Sequence, residues 1–261
     1  MTASTISPKP IWRRLLPPVF WLGVWQLAAF AIEWAMEGKG NELLLPYPST
    51  VAAALISLGQ HGDFWMTVLA SLGRIVAGMA LGTMLGLLLA MLTCLSSLAD
   101  ELLSPAIRVI RATPVASFIL LVLLWVARDW VPVVIAALMV LPVVWSNVSR
   151  GIRETDPQLL ELARAYRFSR RKTIRLVYLP SLRPYLLSAI TTSMGLAWKS
   201  GVAAEVLCLP GRAIGFQIYN TKFYLEVPQL FAWTVVVVTL SLMMEHLLTA
   251  VLSRRKQRWK A

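Results

Sequence analysis

Lys199 and Glu205 stand in an otherwise apolar stretch, "GLAWKSGVAAEVL" at 195–207, and a charge in such a run is costly enough to mark a functional group by default. Six positions apart, they do not share a helix face and form no intrahelical pair. Lys199 faces either a solute path, where it suits an anion, or a partner helix; Glu205 near the end of the run is either structural or, with Trp198, part of such a path. Glu245 and His246 close another apolar run and read as interface packing. Nothing else has the spacing of a catalyst. His61 and His246 are far apart, no carboxylate pair reads as acid and base, and Cys94 and Cys208 read as small packing residues. The "GKG" at 38–40 lacks the flanks of a phosphate-binding loop. The expectation is no catalytic residue, no metal site and no cofactor.

These residues are set in a chain of 261 residues that is 57% hydrophobic and 15% charged, against about 25% charged in a soluble domain. Eleven tryptophans add to the signature of a membrane protein, since indoles favour the bilayer interface. Six apolar runs, near 16–36, 75–95, 106–127, 130–148, 186–206 and 231–252, each approach the roughly 20 residues that cross a hydrocarbon core. The first, behind "KPIWRRLL", is too long for a signal-peptide core and reads as a retained span. Pro105, Pro114, Pro132 and Pro142 interrupt runs three and four, and broken helices at membrane depth need protein or a watery path around them. Those two runs are expected at the centre of an all-α bundle of about six spans.

Basic residues set the orientation. With the N-terminus inside, nineteen lysines and arginines fall on the cytoplasmic side and five outside. The expected organisation is a cytoplasmic segment at 1–15, a transmembrane region at 16–252 with a cytoplasmic loop at 149–185, and a basic tail at 253–261, "SRRKQRWK" within it suiting anionic lipid headgroups. The basicity therefore reflects topology and lipid, not nucleic acid. In the second run Gly78, Gly82, Gly86 and Ala90 recur every four residues. This small-residue stripe lets helices approach closely, either within the chain or across a two-fold subunit interface.

The cytoplasmic loop carries nine basic residues between Arg150 and Arg183. Its order says more than its charge. A short apolar helix is expected after "TDPQ", capped by Thr155 or Asp156 with Pro157 in its first turn. A second starts at Ser169, presents Ile174 and Val177, and stops at Leu179 and Pro180. The product is a protruding elbow, either a docking surface or an ordinary positive-inside loop.

Glu161, Ala163 and the Leu179–Pro180 pair resemble the EAA loop of binding-protein-dependent ABC importer permeases. "LLPYPSTVAAAL", "SLGRIVAGMALGTMLG", "RATPVASFILLVLLW" and "GLAWKSGVAAEVL" extend the resemblance over nearly the whole chain from Leu45, towards the nitrate, sulfonate and taurine group. It implies a type I importer permease, itself no enzyme, in a bacterial inner membrane. The implied partners are a second copy, two ABC ATPase subunits, an extracytoplasmic binding protein and membrane lipids. The implied solute is a small anion. Residues 154–180 would be the ATPase-coupling segment, carrying Glu161, Ala163, Tyr166, Arg167, Leu179 and Pro180. The chain departs from the pattern at Leu162, where a second alanine is usual, and at Arg167, where glycine supplies a positive φ. An ion-gradient-driven transporter or channel is the alternative and needs no elbow; a membrane scaffold keeps the elbow without a solute path.

Overall fold

The computed structural model describes residues 11–36 and 41–257, and every regular element among them is helical. Lys9, Lys39, Arg258 and Lys260 of the charge count, and the "GKG" at 38–40, lie outside the described residues. The chain divides into two compact units, Met1–Phe64 with Asn220–Val236, and Trp65–Tyr219 with Val237–Ala261.

In the first unit, helix α1 (Ile11–Ala35) is followed by a single turn, α2 (Asn41–Leu44), and by α3 (Pro48–Gly59). Tyr47 is extended ahead of Pro48, as a residue before proline must be. The Trp25 indole N–H donates to the Pro46 carbonyl at 3.0 Å, and its ring meets Phe231 at 5.8 Å. Most of α1 stays exposed and apolar, as a face toward lipid would be.

The second unit holds most of α4 (Gly62–Leu95), α5 (Ser97–Ala112), α6 (Val115–Val122), α7 (Val131–Arg153), α8 (Pro157–Ala165), α9 (Arg170–Thr173), a π-helical turn at Ile174–Tyr178, α10 (Leu179–Cys208), the start of α11 (Ile214–Phe223) and the later part of α12 (Val227–Gln257). Among the described residues, four helices are long and apolar enough to cross a membrane: α1 from Leu16, α4, α7, and α12 to Ala250. Lys199, Glu205 and their polar neighbours make α10 less apolar, yet it runs 30 residues. Helix α4, at 34 residues, is about 51 Å long at 1.5 Å per residue, well beyond the expected 75–95. Likewise α12 continues to Gln257 and α1 starts at Ile11, so the expected boundaries at 15 and 252 both fall inside helices.

Helix α7 is the core of its unit, with thirteen buried residues. Helix α4 runs parallel to it. A Cβ on Gly78 would lie 2.4 Å from the Val133 carbonyl oxygen, one on Gly82 2.5 Å from that of Ala137, and one on Gly86 2.8 Å from that of Leu141. Of the two places open to the small-residue stripe, these glycines therefore take the one inside the chain, against α7. Helix α10 packs antiparallel to α7: Gly151 lies against Tyr185 at one end, while Ile135 shares a core cluster with Ala204 and Cys208 at the other.

The third apolar run is not one helix. Helices α5 and α6 meet at a 106° bend, because Pro114 forces Thr113 into an extended conformation with ψ 133°. Pro142 has the opposite outcome and stays inside α7, which α4 and α10 clamp. Of the two runs expected at the centre, α7 is there throughout and α6 contributes Ile119 and Val122 to the cluster around Ile135.

Candidate functional site

The elbow forms where capping chemistry dictates. The Asp156 carboxylate accepts the Gln158 N–H at 2.8 Å and caps α8, while the Thr155 hydroxyl turns back to the Gly151 carbonyl. At the far end of α8 the Phe168 N–H reaches the Ala163 carbonyl and the Arg167 N–H reaches that of Arg164. This Schellman closure requires a left-handed residue at Arg167, and Arg167 has φ 48°. The position where the resemblance expects glycine thus keeps the glycine conformation with an arginine in it. The Ser169 hydroxyl then caps α9.

The expected stop at Leu179–Pro180 does not occur. Pro180 lacks an N–H, and its ring would crowd the Leu176 carbonyl of a regular helix. The chain widens instead into a π turn, the Leu179 N–H bonding the Ile174 carbonyl, and runs on into α10. The second arm of the elbow is therefore continuous with a long core helix. Ala163 is only 4% exposed, facing inward where α8 meets the π turn. Leu159, Leu162, Tyr166, Ile174, Leu176 and Leu179 are all exposed, beside exposed Glu161, Arg167 and Pro180. Apolar groups rimmed by charge have the make-up of a protein-docking surface.

At the root of the elbow, the Tyr185 hydroxyl donates to Glu154 at 2.6 Å. That bond, with burial behind it, pushes the Tyr185 phenol above its ordinary range and keeps it a donor at neutral pH.

Sequence reasoning missed a polar node at the other end of α10. Glu205 is fully buried, and its carboxylate accepts from the Ser71 hydroxyl at 2.8 Å, the Gly215 N–H at 3.1 Å and Arg74 at 3.3 Å. Ser71 in turn accepts the Ile214 N–H at 2.9 Å, and Arg74 reaches the Arg212 carbonyl at 2.7 Å and Asp129 at 3.6 Å. The start of α11 thus finds acceptors for its unpaired N–H groups. Arg74 had counted only toward topology, although Ser71 extends the stripe of Gly78 and Gly82 by two helical turns. The partner, 131 positions away, left no local trace. Glu205→Ala should leave the Gly215 N–H without its acceptor while Arg74 keeps the Arg212 carbonyl and Asp129, costing about 1–3 kcal/mol; a thermal melt of the detergent-solubilised protein checks this, and an unchanged Tm refutes the node.

The proposed path residues consequently separate. Glu205 is buried in this node, which fits the structural of its two readings. Trp198 is 2% exposed and its indole N–H donates to the Val237 carbonyl at 3.1 Å; one edge borders a cleft of about 200 Å³ with Thr191, Gly195, Ser241 and Glu245. Lys199 is exposed on the next position.

Residues 82–257 match the family model described as binding-protein-dependent transport system inner membrane component. A Bacillus subtilis protein named for aliphatic sulfonates transport, as its permease, is 26% identical over 99% of this chain and 93% of its own length. An Escherichia coli protein with the same name is 29% identical, over 80% of this chain and 77% of its own. The bicarbonate transport system permease protein of Synechocystis is 25% identical, over 81% and 80%. Among solved structures, an amino acid ABC transporter crystallised with histidines superimposes with TM-score 0.59 at 19% identity, over 73% of this chain and 91% of the other, which establishes a common fold.

Proposed function

We propose a small-anion importer driven by a separate ATPase, on the premise that this chain belongs to the family of binding-protein-dependent transport system inner membrane components. As a member it is a transport subunit of a bacterial inner membrane and not an enzyme. The solute we infer is a small oxyanion, because the relatives named for sulfonates and for bicarbonate both handle that chemistry. Residues 154–180 dock in the ATPase, Glu161 and the exposed apolar groups forming the contact. Closure of the ATPases moves α8 and the π turn, and α10, continuous with that arm, re-tilts. Glu205 lies about 39 Å further along α10 by helical rise, so the node around it holds the opposite end together. A second copy completes the path, and Lys199 faces the solute. The basic asymmetry of the loops supports a cytoplasmic elbow and cytoplasmic termini.

The observation that carries this reading is the continuity of the elbow with α10. Proteoliposomes containing the full-length chain, its cognate ATPase and its binding protein test it. Uptake of a labelled sulfonate or bicarbonate should require internal or external ATP at the ATPase face and persist with all ion gradients collapsed. Uptake that follows a proton or sodium gradient without ATP establishes the alternative.

Arg167 offers a finer test. A left-handed arginine costs roughly 1 kcal/mol relative to glycine, so Arg167→Gly should raise thermal stability slightly while ATPase recovery is retained. A large loss of ATPase on the same substitution, greater at low salt, would mean that the guanidinium pairs with a carboxylate of the partner.

A further inference from the structure

We propose that a cleft at the root of the elbow, between α5 and the end of α7, binds a small oxyanion. The cleft measures about 330 Å³. Arg108, Arg150 and Arg153 line it, together with two carboxylates that already have partners. Asp100 accepts from the Ser104 hydroxyl and from Arg153 at 3.1 Å; Glu154 accepts from Tyr185 and lies 3.9 Å from Arg150. Three guanidiniums against two carboxylates leave one positive charge. Arg108 holds no hydrogen bond and no close ion pair among the described residues; its exposed guanidinium lies in the field of Asp100, whose carboxylate Arg153 already engages. The same cleft is lined by Ser149, a residue 6% exposed. Its hydroxyl is the buried side-chain oxygen without a hydrogen-bond partner among the described residues, and a group so placed in a native fold calls for a ligand or a reason.

Arg108 has guanidinium donors free to meet an acceptor, a negative one neutralising it, and the Ser149 hydroxyl, sealed at the wall of the cleft, has a donor without a partner among the described residues. A sulfate, phosphate or sulfonate group presents acceptor oxygens on every side and pairs with a guanidinium fork. A cation is repelled by Arg108, and a neutral acceptor leaves its charge uncompensated. The position gives the site a consequence: Arg150 and Glu154 close the last turn of α7 just ahead of α8, so an anion seated here joins α5 to the base of the elbow. This assignment is independent of the solute the chain carries. The oxyanion is either free in solution or the phosphate of an anionic phospholipid, for which the exposed Leu98, Leu102 and Val109 of α5 give acyl contact.

The full-length protein in a neutral detergent is titrated with sodium sulfate by calorimetry at constant ionic strength. In parallel it is equilibrated with phosphatidylglycerol and weighed by native mass spectrometry. One sulfate or one phosphatidylglycerol per chain is expected. Affinity should fall about tenfold in Arg108→Gln, less in Arg108→Lys, which keeps the charge without the fork, and about threefold in Ser149→Ala. Competition by sulfate assigns a free anion; retention of the lipid without sulfate binding assigns the headgroup. Absence of both, or binding that neither Arg108→Gln nor Ser149→Ala weakens in proteins with wild-type melting curves, overturns the site. So does a Ser149→Ala protein that melts higher with unchanged affinity, since that marks the hydroxyl as merely unsatisfied.

Discussion

Gly82→Leu should yield little folded protein, and what is recovered should have lost about 3 kcal/mol of stability or more. Even a Cβ at this position would stand 2.5 Å from the Ala137 carbonyl oxygen and 2.8 Å from the Val140 Cβ. Two of the three nearest atoms are backbone, so no rotamer change relieves the contact and α4 must separate from α7. Gly73→Leu is the control, because nothing lies within 4 Å of a Cβ there. Melting of the solubilised protein, followed by size-exclusion recovery, reads the difference. Since the stripe is covered by the same chain, the Gly82 variant should lose the fold of the chain itself and not only its oligomeric state. Equal melting of the two variants would remove the α4–α7 packing.

Glu161→Lys should leave a folded, membrane-inserted protein that no longer retains its ATPase. Glu161 is exposed on α8 and its side chain makes no hydrogen bond or ion pair among the described residues, so reversing its charge should alter the docking surface and not the fold. A charge reversal at such a contact is expected to cost roughly tenfold or more in affinity, about 1.4 kcal/mol. Co-purification and uptake should fall together while the melting curve stays put. Ala163→Asp is a different experiment from the one its exposed neighbours suggest. Ala163 is turned inward toward the π turn, so the aspartate should unfold the elbow itself and lower the melting temperature as well. Glu161→Lys with full ATPase recovery and normal uptake would remove the docking claim.

The caps of the elbow were legible because Asp156 before Pro157, and Ser169 before its helix, act within three residues of themselves. The glycine stripe was legible as a close contact, but periodicity names a face and not what covers it. Only the backbone places Val133, Ala137 and Leu141 there. Proline was the least reliable signal. Pro114 breaks its helix, Pro142 rides inside one, and Pro180 is absorbed by a π turn; the difference lies in the packing on either side, which the local sequence does not carry. The Glu205 node shows the same limit, since a buried carboxylate can be suspected from hydropathy while Ser71, Arg74 and Gly215 are joined to it only by the fold.

The central claim, that residues 154–180 are the seat of an ATPase, is tested most directly by placing a photo-crosslinking amino acid at Tyr166. This side chain is 71% exposed at the tip of the elbow. Irradiation of membranes should produce a covalent adduct of this chain with the ATPase subunit, in a yield that changes when ATP is trapped on it. A crosslinker at Leu124, exposed on the far side of the α5–α6 bend, should give none. An ATPase adduct absent from Tyr166 in a complex that still transports would contradict the account.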